Sequence, residues 1–478
     1  MKYTRRNFLK VGGAAAASLS FSSGSLANNF FMNRYTSLRP KISERKFISD
    51  SVEAKILEMK KIIADEEVGW LFENCFPNTL DTTVTHRVIE GKPDTFVITG
   101  DINAMWLRDS TAQVWPYLQL AKDDSKLKNL IAGVINRQVK CILIDPYANA
   151  FNDGPGDSPW KNDHTKMKPE LHERKWEIDS LCYPVRLAYG FWKTTGDDSI
   201  IDKNWISAMK LVLKTFREQQ RKDGTSPYSF MRTTSWATDG VVLNGYGNPV
   251  KPVGLIVSIF RPSDDATIFP FLIPSNYFAL SALRQLTEIF NSSCNDNETA
   301  NECKMLADEI EEALKIYGWA EHLNYGKILA YEVDGFGNQL FMDDANIPSL
   351  LSLPYLNAIN VKDDIYQNTR KFLLSTNNPY YFEGKAGKGI GGPHAGIGMI
   401  WHLAVIMQGV TSIDENEIRD CIKILKHTHA GKGFMHESFN KDDAAKFSRP
   451  WFAWANTLFG EFLINVRKNY PDLLKEQF

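Results

Sequence analysis

The hydrophobic residues of this chain recur with a helical period over most of its length. Leu127, Leu130 and Val134 fall on one face of a helix, and the same spacing brings Leu306 and Ile310 together further along the chain. Applied throughout, this spacing predicts twelve helices, near residues 51–75, 105–121, 126–143, 176–195, 199–220, 275–291, 299–318, 346–356, 363–375, 394–409, 415–429 and 451–468.

The connections between these predicted helices are of two kinds. Some are short, and others are long and rich in Gly, Pro, Asp, Asn and aromatic residues, at 145–175, 222–274, 376–395 and 430–450. Strand-like alternation is local, as in "DTFVITGD" and "KILAYEVDGFG". The predicted fold class is therefore all-α, an (α/α)6 barrel of six helical hairpins with small local β-hairpins in its loops. An open helical solenoid is the alternative, but the sequence has no repeat of fixed period.

The first residues have the pattern of an export signal. "TRRNFLK" contains twin arginines, a weakly apolar run follows at 11–19, and "SLA" ends with small residues that suit a signal peptidase. This pattern predicts a bacterial protein exported folded to the periplasm, with no membrane insertion after signal removal. The predicted segments are a twin-arginine signal peptide over 1–27, a linker over 28–50 and a single catalytic domain over 51–478.

Composition excludes some classes of function and leaves others open. Of the 478 residues 43% are hydrophobic and 23% charged, with a net charge of −2, so no basic stripe marks a nucleic-acid surface. The 12 Trp and 17 Tyr residues suit both core packing and stacking on sugar rings. The six cysteines lack metal-ligand spacing. Pairing of Cys294 with Cys303 stays open, as does the oligomeric state.

Two adjacent carboxylates interrupt an apolar stretch, "FRPSDDATIFPF". Asp264 and Asp265 follow an Arg-Pro turn and precede an apolar, aromatic run. Apolar surroundings tend to keep a carboxyl group protonated, which is the state that a general acid requires. A Pro-Ser-Asp-Asp turn that caps a following helix explains the same residues equally well. Both interpretations stay open at this point.

Charged and aromatic residues also gather at two predicted helix starts. In "GDINAMWLRDS", Trp106, Arg108 and Asp109 stand together. Asp109 either caps the helix or, with Trp106 as a stacking platform, helps to bind a hexose. In "KWEIDS", Glu177 suits the positive end of the helix dipole, and Asp179 is a weaker candidate for a pocket residue.

Two further loops contain histidine. In "GKAGKGIGGPHAG" the glycines allow sharp turns that present His394, and the stretch lacks the ending of a phosphate-binding loop. In "HESF", Glu437 stands in an aromatic loop, as a base beside a sugar-sized pocket would. His427 and His429 have no third ligand at a telling spacing, so the sequence predicts neither a metal site nor an organic cofactor. Glycoside hydrolysis needs two facing carboxyl groups, which loops from different hairpins can supply.

Five motifs in this order resemble those of glycoside hydrolase family 125, the bacterial and fungal exo-α-1,6-mannosidases. They are "MWLRDS", "EIDSLCYP", "FRPSDDA…FLIPSN", "GGPHAGIGMIW" and "MHESF…SRPWFAWAN". The likeness covers roughly residues 50–468. The resemblance implies an inverting (α/α)6 hydrolase that needs no metal. It also implies removal of terminal non-reducing mannose from α-mannosides and N-glycan-type oligosaccharides.

The resemblance further implies roles for individual residues. Asp264 is the general acid, and Glu437 is the general base that activates water. Inversion leaves room for that water, so the two carboxyl groups are expected ~6.5–9.5 Å apart. Asp265 is the second choice for the acid and otherwise a sugar or structural ligand. The other residues expected to bind the sugar are Trp106, Arg108, Asp109, Arg261 and His394.

Two other functions stay as alternatives. An inverting α-glycosidase of other sugar specificity would use the same barrel, and a substrate panel would separate it. A non-catalytic periplasmic saccharide-binding protein would bind sugar without hydrolysis, and the pairing of Asp264 with Glu437 argues against it. A polysaccharide lyase would favour a basic groove for an acidic polymer, which the charge balance does not offer.

Overall fold

Twelve α-helices of eight or more residues run through the part of the chain that the computed structural model describes, residues 35–478. They are α1 (Asp50–Ile62), α2 (Glu66–Cys75), α3 (Leu107–Val114), α4 (Ser125–Ile144), α5 (Ile178–Thr195), α6 (Lys203–Gln219), α7 (Ile273–Ile289), α8 (Asn297–Tyr317), α9 (Asp364–Leu373), α10 (His402–Val410), α11 (Glu415–Thr428) and α12 (Ala453–Asn469). Shorter helical turns lie at Ile42–Glu44, Asn78–Thr82, Trp115–Leu120, Ala237–Asp239, Val242–Gly245, Phe290–Cys294 and Leu473–Lys475. The predicted signal peptide lies outside the described residues.

Fifteen short strands in the same part of the chain form six small antiparallel sheets. They are β1 (Val84–Ile89), β2 (Lys92–Val97), β3 (Met105–Trp106), β4 (Ala150–Phe151), β5 (Leu171–Glu173), β6 (Phe271–Leu272), β7 (Trp319–His322), β8 (Gly326–Leu329), β9 (Glu332–Val333), β10 (Gln339–Leu340), β11 (Tyr381–Glu383), β12 (Lys388–Ile390), β13 (Met399–Trp401), β14 (Ser438–Asn440) and β15 (Asp443–Ser448). The three-stranded sheets have the orders β3-β4-β5, β10-β9-β6 and β13-β14-β15. Both stretches of predicted alternation contribute strands, in β2 and in β8 and β9.

The predicted all-α class is confirmed in its coarse form, a helix-rich fold with small sheets, and eleven of the twelve predicted helices contain observed helix. The segment 51–75 is two helices and not one. Asp65 accepts hydrogen bonds from the N–H groups of Glu67 and Val68 and thereby starts α2. In the segment 394–409, helix begins only at His402, after the strand β13.

The predicted helix at 346–356 is wrong. Residues 351–357 form consecutive turns, even though their side chains are mostly buried. Pro354 has no N–H with which to continue an α-helix. The Ser349 and Ser352 hydroxyls accept backbone N–H groups, each from the other residue, and so compete with helical bonding. The apolar spacing identified a buried element correctly, but not its backbone.

Several helices are buried around most of their circumference. All eight residues of α3 are buried, and so is the first half of α5. α3 packs on α5, α5 on α7, α10 on α12 and α12 on α3. The turn segment 347–357 lies beside α5 and α7, because Tyr183 donates to the Ile347 carbonyl and Ser281 to the Leu356 carbonyl. More polar helices pack against these, including α8 on α7 and α11 on α10.

The entry to α3 is joined to the entry to α12 by backbone pairing. Gly100 forms a β-bridge with Phe452, and the Ala453 N–H donates to the Thr99 carbonyl (3.1 Å). Gly100 has a φ of 123°, and a Cβ atom there would lie 2.3 Å from the Trp451 carbonyl oxygen. Only glycine allows this approach. The first and last thirds of the domain therefore meet at this point.

Two buried histidines fix the segment that leads into β14. The His436 N–H donates to His402 Nδ1 (2.9 Å), and His402 Nε2 lies 3.0 Å from Thr428 Oγ1. The Thr428 hydroxyl donates to the Ile424 carbonyl and therefore accepts from His402 Nε2. Burial lowers the pKa of His402 to about 3 and that of His436 to about 4. Both rings are thus neutral structural groups at physiological pH.

All six cysteines are free thiols, so Cys294 and Cys303 are not bridged. Cys294 is half-buried, and the other five are buried. None of the helices between residues 35 and 478 combines the length and apolar character needed to cross a membrane.

Two helical glycines give a matched test of this packing. A Cβ atom at Gly460 would lie 2.5 Å from Phe76 Cδ2 and 3.0 Å from its Cα, whereas the nearest atom at Gly69 is 4.0 Å away. Gly460→Ala is expected to lower the free energy of unfolding by about 1–3 kcal/mol through overpacking. Gly69→Ala is expected to raise it by up to about 1 kcal/mol through helix propensity. Chemical denaturation of both variants measures this, and a Gly460→Ala variant as stable as the wild type would contradict the packing.

The buried histidines make stability depend on pH. The folded pKa of His436 is lowered, so unfolded chains bind the extra proton below the unfolded pKa of about 6.5. The stability advantage of the wild type over His436→Gln should therefore shrink by roughly 1.4 kcal/mol per pH unit from pH 6.5 to 5. The difference between the wild type and the variant is measured, because buried carboxyl groups also make the stability of each protein depend on pH. Burial raises the pKa of Glu461 to about 7, so protonation of Glu461 stabilises the fold as the pH falls, which is opposite to the effect of His436.

The control is His427→Gln, at an exposed histidine nine positions away on the preceding helix. Denaturation of this variant at the same pH values gives the baseline for the loss of an exposed histidine. A pH-independent difference between the wild type and His436→Gln would show that His436 is not held neutral.

Candidate active site

Asp264 lies in a tight turn before β6. Its N–H donates to the Arg261 carbonyl (2.9 Å), and the Arg261 N–H donates to the Asp265 carbonyl (2.7 Å). Asp264 has a left-handed backbone, with a φ of 71°. Such a conformation costs a residue other than glycine of order 1–3 kcal/mol and persists only where neighbours hold it. The neighbours of this turn are therefore part of the site.

Side chains from distant segments hold the turn. Ser263 Oγ donates a hydrogen bond to Asp344 Oδ2 (2.6 Å). Asn346 Nδ2 donates to the Pro262 carbonyl (2.8 Å), and Lys175 Nζ donates to the Asp264 carbonyl (2.8 Å). Each of the three residues from Pro262 to Asp264 is thus fixed from outside the turn. A left-handed aspartate can be maintained here because its backbone has no freedom to relax.

The two adjacent aspartates have different environments. Asp264 is half-buried, and its Oδ1 is buried without a hydrogen-bond partner among the described residues. Asp265 is only 1% exposed, with Oδ1 3.7 Å from His394 Nδ1. Burial alone would raise the pKa of Asp265, but the interaction with His394 holds it below its ordinary value. Asp265 therefore interacts with His394, and Asp264 is the more exposed of the two carboxyl groups.

Arg261, predicted as a sugar ligand, lies in a buried ion pair. Its Nε donates to Glu332 Oε1 (2.6 Å), and its guanidinium lies 5.3 Å from the centre of the Tyr331 ring. Glu332 Oε2 accepts the N–H groups of Ile268 and Phe269, which follow the turn. Arg261 and Glu332 together anchor the chain on both sides of the two aspartates. This position supports the site from behind.

A second cluster of charges lies at the starts of α3 and α5. Arg108 is buried, and its Nη1 donates to Glu177 Oε2 (2.7 Å) and Asp179 Oδ2 (2.9 Å). Its Nε lies 3.7 Å from Asp109 Oδ2. Glu177, expected to serve the helix dipole, makes no capping bond and binds Arg108 and the Ser180 hydroxyl. One guanidinium thus faces three carboxyl groups.

The charges in this cluster do not balance. Burial raises the pKa of Glu177 and of Asp179, and the nearby Asp264 adds to both effects. Burial alone would lower the pKa of Arg108, but the carboxylates around it raise it. Burial and the repulsion between neighbouring carboxylates therefore both favour the protonated forms of Glu177 and Asp179.

Glu437 lies immediately before β14 and is 5% exposed. Its Oε2 accepts from Ser448 Oγ (2.9 Å), and its Oε1 lies 3.4 Å from Arg449 Nη1. Arg449 has a left-handed backbone and donates through Nε to Asp101 Oδ1 (2.9 Å). A hydroxyl and a guanidinium therefore orient this carboxylate.

Asp109 connects the two halves of the site. It is 6% exposed, and burial raises its pKa to about 6, with Arg108 and Arg449 acting to lower it and Asp264 to raise it. Asp109 therefore lies within electrostatic range of both Asp264 and Arg449, and Arg449 contacts Glu437. Asp109 is thus the link between the charge cluster near Asp264 and the loop that carries Glu437.

The predicted aromatic and histidine ligands lie at the edges of this cluster. Trp106 is 7% exposed and packs edge-on against His172, with ring centres 5.3 Å apart. It lies in a small apolar cluster with Ala104 and Ala150, so most of its ring is packed. His394 lies beside Asp265 and meets Trp401 edge-on at 6.0 Å. In the described residues, no group of three His, Cys, Asp or Glu side chains is placed to hold a metal ion.

Several residues of the site escaped the sequence interpretation. Asp101 and Arg449 both lie within quoted motifs, "GDINAMW" and "SRPW", but nothing local indicates that they pair. Lys175 is the first residue of "KWEIDS", and nothing local indicates that it contacts Asp264. The sequence did contain one signal of such pairing, since each motif that looked buried carried more charges of one sign than of the other. A buried excess charge requires an opposite charge, which another motif has to supply. Which motifs pair depends on tertiary structure.

Comparison with known proteins identifies the family. A family model for metal-independent alpha-mannosidases (GH125) matches residues 65–464. The meiotically up-regulated gene 157 protein of Schizosaccharomyces pombe is 42% identical over 457 residues, which cover 92% of this chain and 90% of the yeast protein.

Solved structures agree with this family. A Streptococcus pneumoniae metal-independent alpha-mannosidase, in a non-productive complex with alpha-1,6-mannobiose, is 41% identical with a TM-score of 0.84. The match covers 90% of this chain and 99% of the streptococcal chain. A bacterial glucoamylase complexed with acarbose, 12% identical with a TM-score of 0.53, shares the fold alone over 89% of this chain and 58% of its own. The chain therefore belongs to the GH125 family of metal-independent alpha-mannosidases and is a glycoside hydrolase.

Proposed function

We propose that the protein is an exo-acting, inverting α-1,6-mannosidase. It removes terminal non-reducing mannose from α-mannosides, including oligosaccharides of the N-glycan type. The linkage is supported by the streptococcal relative, whose structure holds alpha-1,6-mannobiose and was described in the context of N-linked glycans. At 41% identity over 99% of that chain, the two proteins are similar enough to share a substrate class.

The convergence of Asp264 and Glu437 carries the assignment of catalytic roles. The two carboxylates come from loops 173 positions apart, and Asp109 and Arg449 link them through charge interactions. Hydrolysis of a glycosidic bond requires one carboxyl group as acid and another as base or nucleophile. Asp264 is the more exposed of the two adjacent aspartates, and its Oδ1 has no hydrogen-bond partner among the described residues, while Ser448 and Arg449 hold the Glu437 carboxylate in place.

The mechanism follows from these environments. Asp264 gives its proton to the glycosidic oxygen as the bond from C1 to that oxygen breaks. Glu437 takes a proton from a water molecule whose oxygen attacks C1 from the opposite face. A carboxyl separation of ~6.5–9.5 Å is expected, which accommodates this water. The proton that Glu437 gains balances the one that Asp264 loses, and exchange with solvent resets both.

The remaining predicted residues take binding or supporting roles in this proposal. Asp109 faces the charges of both catalytic loops and is placed to bind sugar hydroxyls. Trp106 and His394 border the sugar. Arg108 orients Asp109, and Asp265 orients His394. Arg261 acts through the turn that it anchors.

We further propose an (α/α)6 barrel as the architecture. The inner ring would consist of α3, α5, α7, the turn segment 347–357, α10 and α12, with α12 packing on α3 to close it. The remaining helices would form the outer ring. The proposal is supported by this order of contacts and by the fold shared with the bacterial glucoamylase.

The targeting assignment also stands as a proposal. Residues 1–27 would be a twin-arginine signal that directs the protein to the periplasm, and 28–50 would be a linker. Residues 51–478 would be the single catalytic domain, which agrees with the compact unit Ser37–Phe478. The twin-arginine motif of "TRRNFLK" is its support.

Substitution of the two carboxylates tests the roles with two substrates. Asp264→Asn is expected to lower kcat for α-1,6-mannobiose by about 10²–10⁴-fold, because the mannose leaving group needs a proton. It should retain much of its activity on 2,4-dinitrophenyl α-mannoside, whose phenolate leaves without one. Glu437→Gln should lose activity on both substrates, since water must be activated in each case.

Asp265→Asn is the matched control for the choice of acid. It should not show preferential loss on mannobiose, because Asp265 is committed to His394. Near-normal turnover of mannobiose by Asp264→Asn would refute the assignment of the acid. Preferential loss in Asp265→Asn alone would transfer the role to Asp265.

A further inference from the structure

Lys175 is a buried lysine whose ammonium group reaches the proposed acid. It is 1% exposed and follows β5 by two residues. Its Nζ donates to Asp239 Oδ1 (2.9 Å) and to the Asp264 carbonyl oxygen (2.8 Å), and it lies 3.6 Å from Glu173 Oε1. A buried ammonium requires charged partners, and the two carboxylates supply them. Neutralisation of the ammonium charge by these carboxylates does not explain why Lys175 also donates to the Asp264 carbonyl oxygen.

If Lys175 were removed, Arg232 would still provide a positive charge to Glu173 and Asp239. Arg232 Nη2 donates to Glu173 Oε1 (2.8 Å), and its Nη1 lies 3.6 Å from Asp239 Oδ2. Both carboxylates that contact Lys175 therefore also face a guanidinium. Apart from its position over the Phe260 ring (4.9 Å), the contact that belongs to Lys175 alone is the one with the backbone of Asp264. That contact is the feature of this lysine that calls for a function.

The bonded carbonyl belongs to the left-handed residue of the turn. The N–H of Asp264 is fixed by Arg261, and its carbonyl is fixed by Lys175. Together these bonds determine φ and ψ of Asp264, and with them the direction in which its Cα–Cβ bond points. Loss of the carbonyl bond would let the peptide after Asp264 rotate and relieve the strain. The carboxyl group would then move relative to the glycosidic oxygen.

We propose that Lys175 is a positioning residue for the general acid, which holds the Asp264 carbonyl and thereby aims the Asp264 carboxyl group at the leaving group. This inference rests on the proposed role of Asp264. It assigns to Lys175 an effect on proton donation and not on the attack of water, because Glu437 is held by other residues, Ser448 and Arg449.

The test compares Lys175→Met on α-1,6-mannobiose and on 2,4-dinitrophenyl α-mannoside. A shift of about 1 Å in a catalytic group costs on the order of 10²-fold in rate. We expect kcat for mannobiose to fall by about 10–100-fold with KM changed by less than about 3-fold. Activity on the dinitrophenyl substrate should fall by less than about 3-fold, because that leaving group needs no proton.

Two further variants keep the test decisive. Lys175→Met/Asp239→Asn removes one charge of each sign and so preserves the balance of the buried network if the single variant fails to fold. It should show the same preferential loss on mannobiose. Asp239→Asn alone removes the ion pair but keeps the bond from Nζ to the Asp264 carbonyl, and any loss should be equal on the two substrates.

The outcomes separate the inference from the function on which it rests. Equal losses on both substrates for the folded Lys175 variants would overturn the positioning role while Asp264→Asn still showed its preferential loss. An Asp264→Asn variant without that preference would overturn the proposed acid and the inference together. Preferential loss in Asp264→Asn and both Lys175 variants, and not in Asp239→Asn, would support the proposal.

Discussion

Arg449 and Asp101, 348 positions apart in the chain, meet in an ion pair that joins the loop before α3 to the loop before α12. The backbone pairing of Gly100 with Phe452 holds the same two loops together. Through this junction Arg449 contacts Glu437 and also acts electrostatically on Asp109. Without the Asp101 carboxylate, the partly buried guanidinium of Arg449 would keep only the longer contact with Glu437 to match its charge. The same junction therefore joins the two loops of the chain and the two parts of the site.

The site concentrates both charge and backbone strain. Asp264 and Arg449 each have a left-handed backbone, and each carries or orients a proposed catalytic carboxylate. Strain of this kind persists where many contacts over-determine the conformation, and it is common at functional sites. Around Arg108, three carboxyl groups lie near one guanidinium, and burial raises the pKa of each of the three. Hydrolysis by acid and base needs such a region, where one carboxyl group is protonated beside another that is not.

Much of this organisation could be predicted from the sequence, and the exceptions have physical causes. Apolar spacing located eleven of the twelve predicted helices because burial of one face imposes it. It failed at 346–356, where the segment is buried but Pro354 and two serines prevent a helix. Asp264 and Asp265 stood out because carboxylates in an apolar stretch need a purpose, and the roles expected of Asp264 and Glu437 came from the resemblance of their motifs. Their partners Lys175 and Arg449 did not stand out, since a cation near many motifs can pair with any of them until the fold brings two together.

The central claim is that two carboxylates, Asp264 and Glu437, act across one bond with a water molecule between Glu437 and the sugar. An NMR time course with α-1,6-mannobiose tests it most directly, because it resolves the anomer released before mutarotation. The account predicts that β-mannose appears first, as attack from the face opposite the leaving group requires. Release of α-mannose as the first product would contradict it, because a retaining reaction needs a nucleophile where this account places a water.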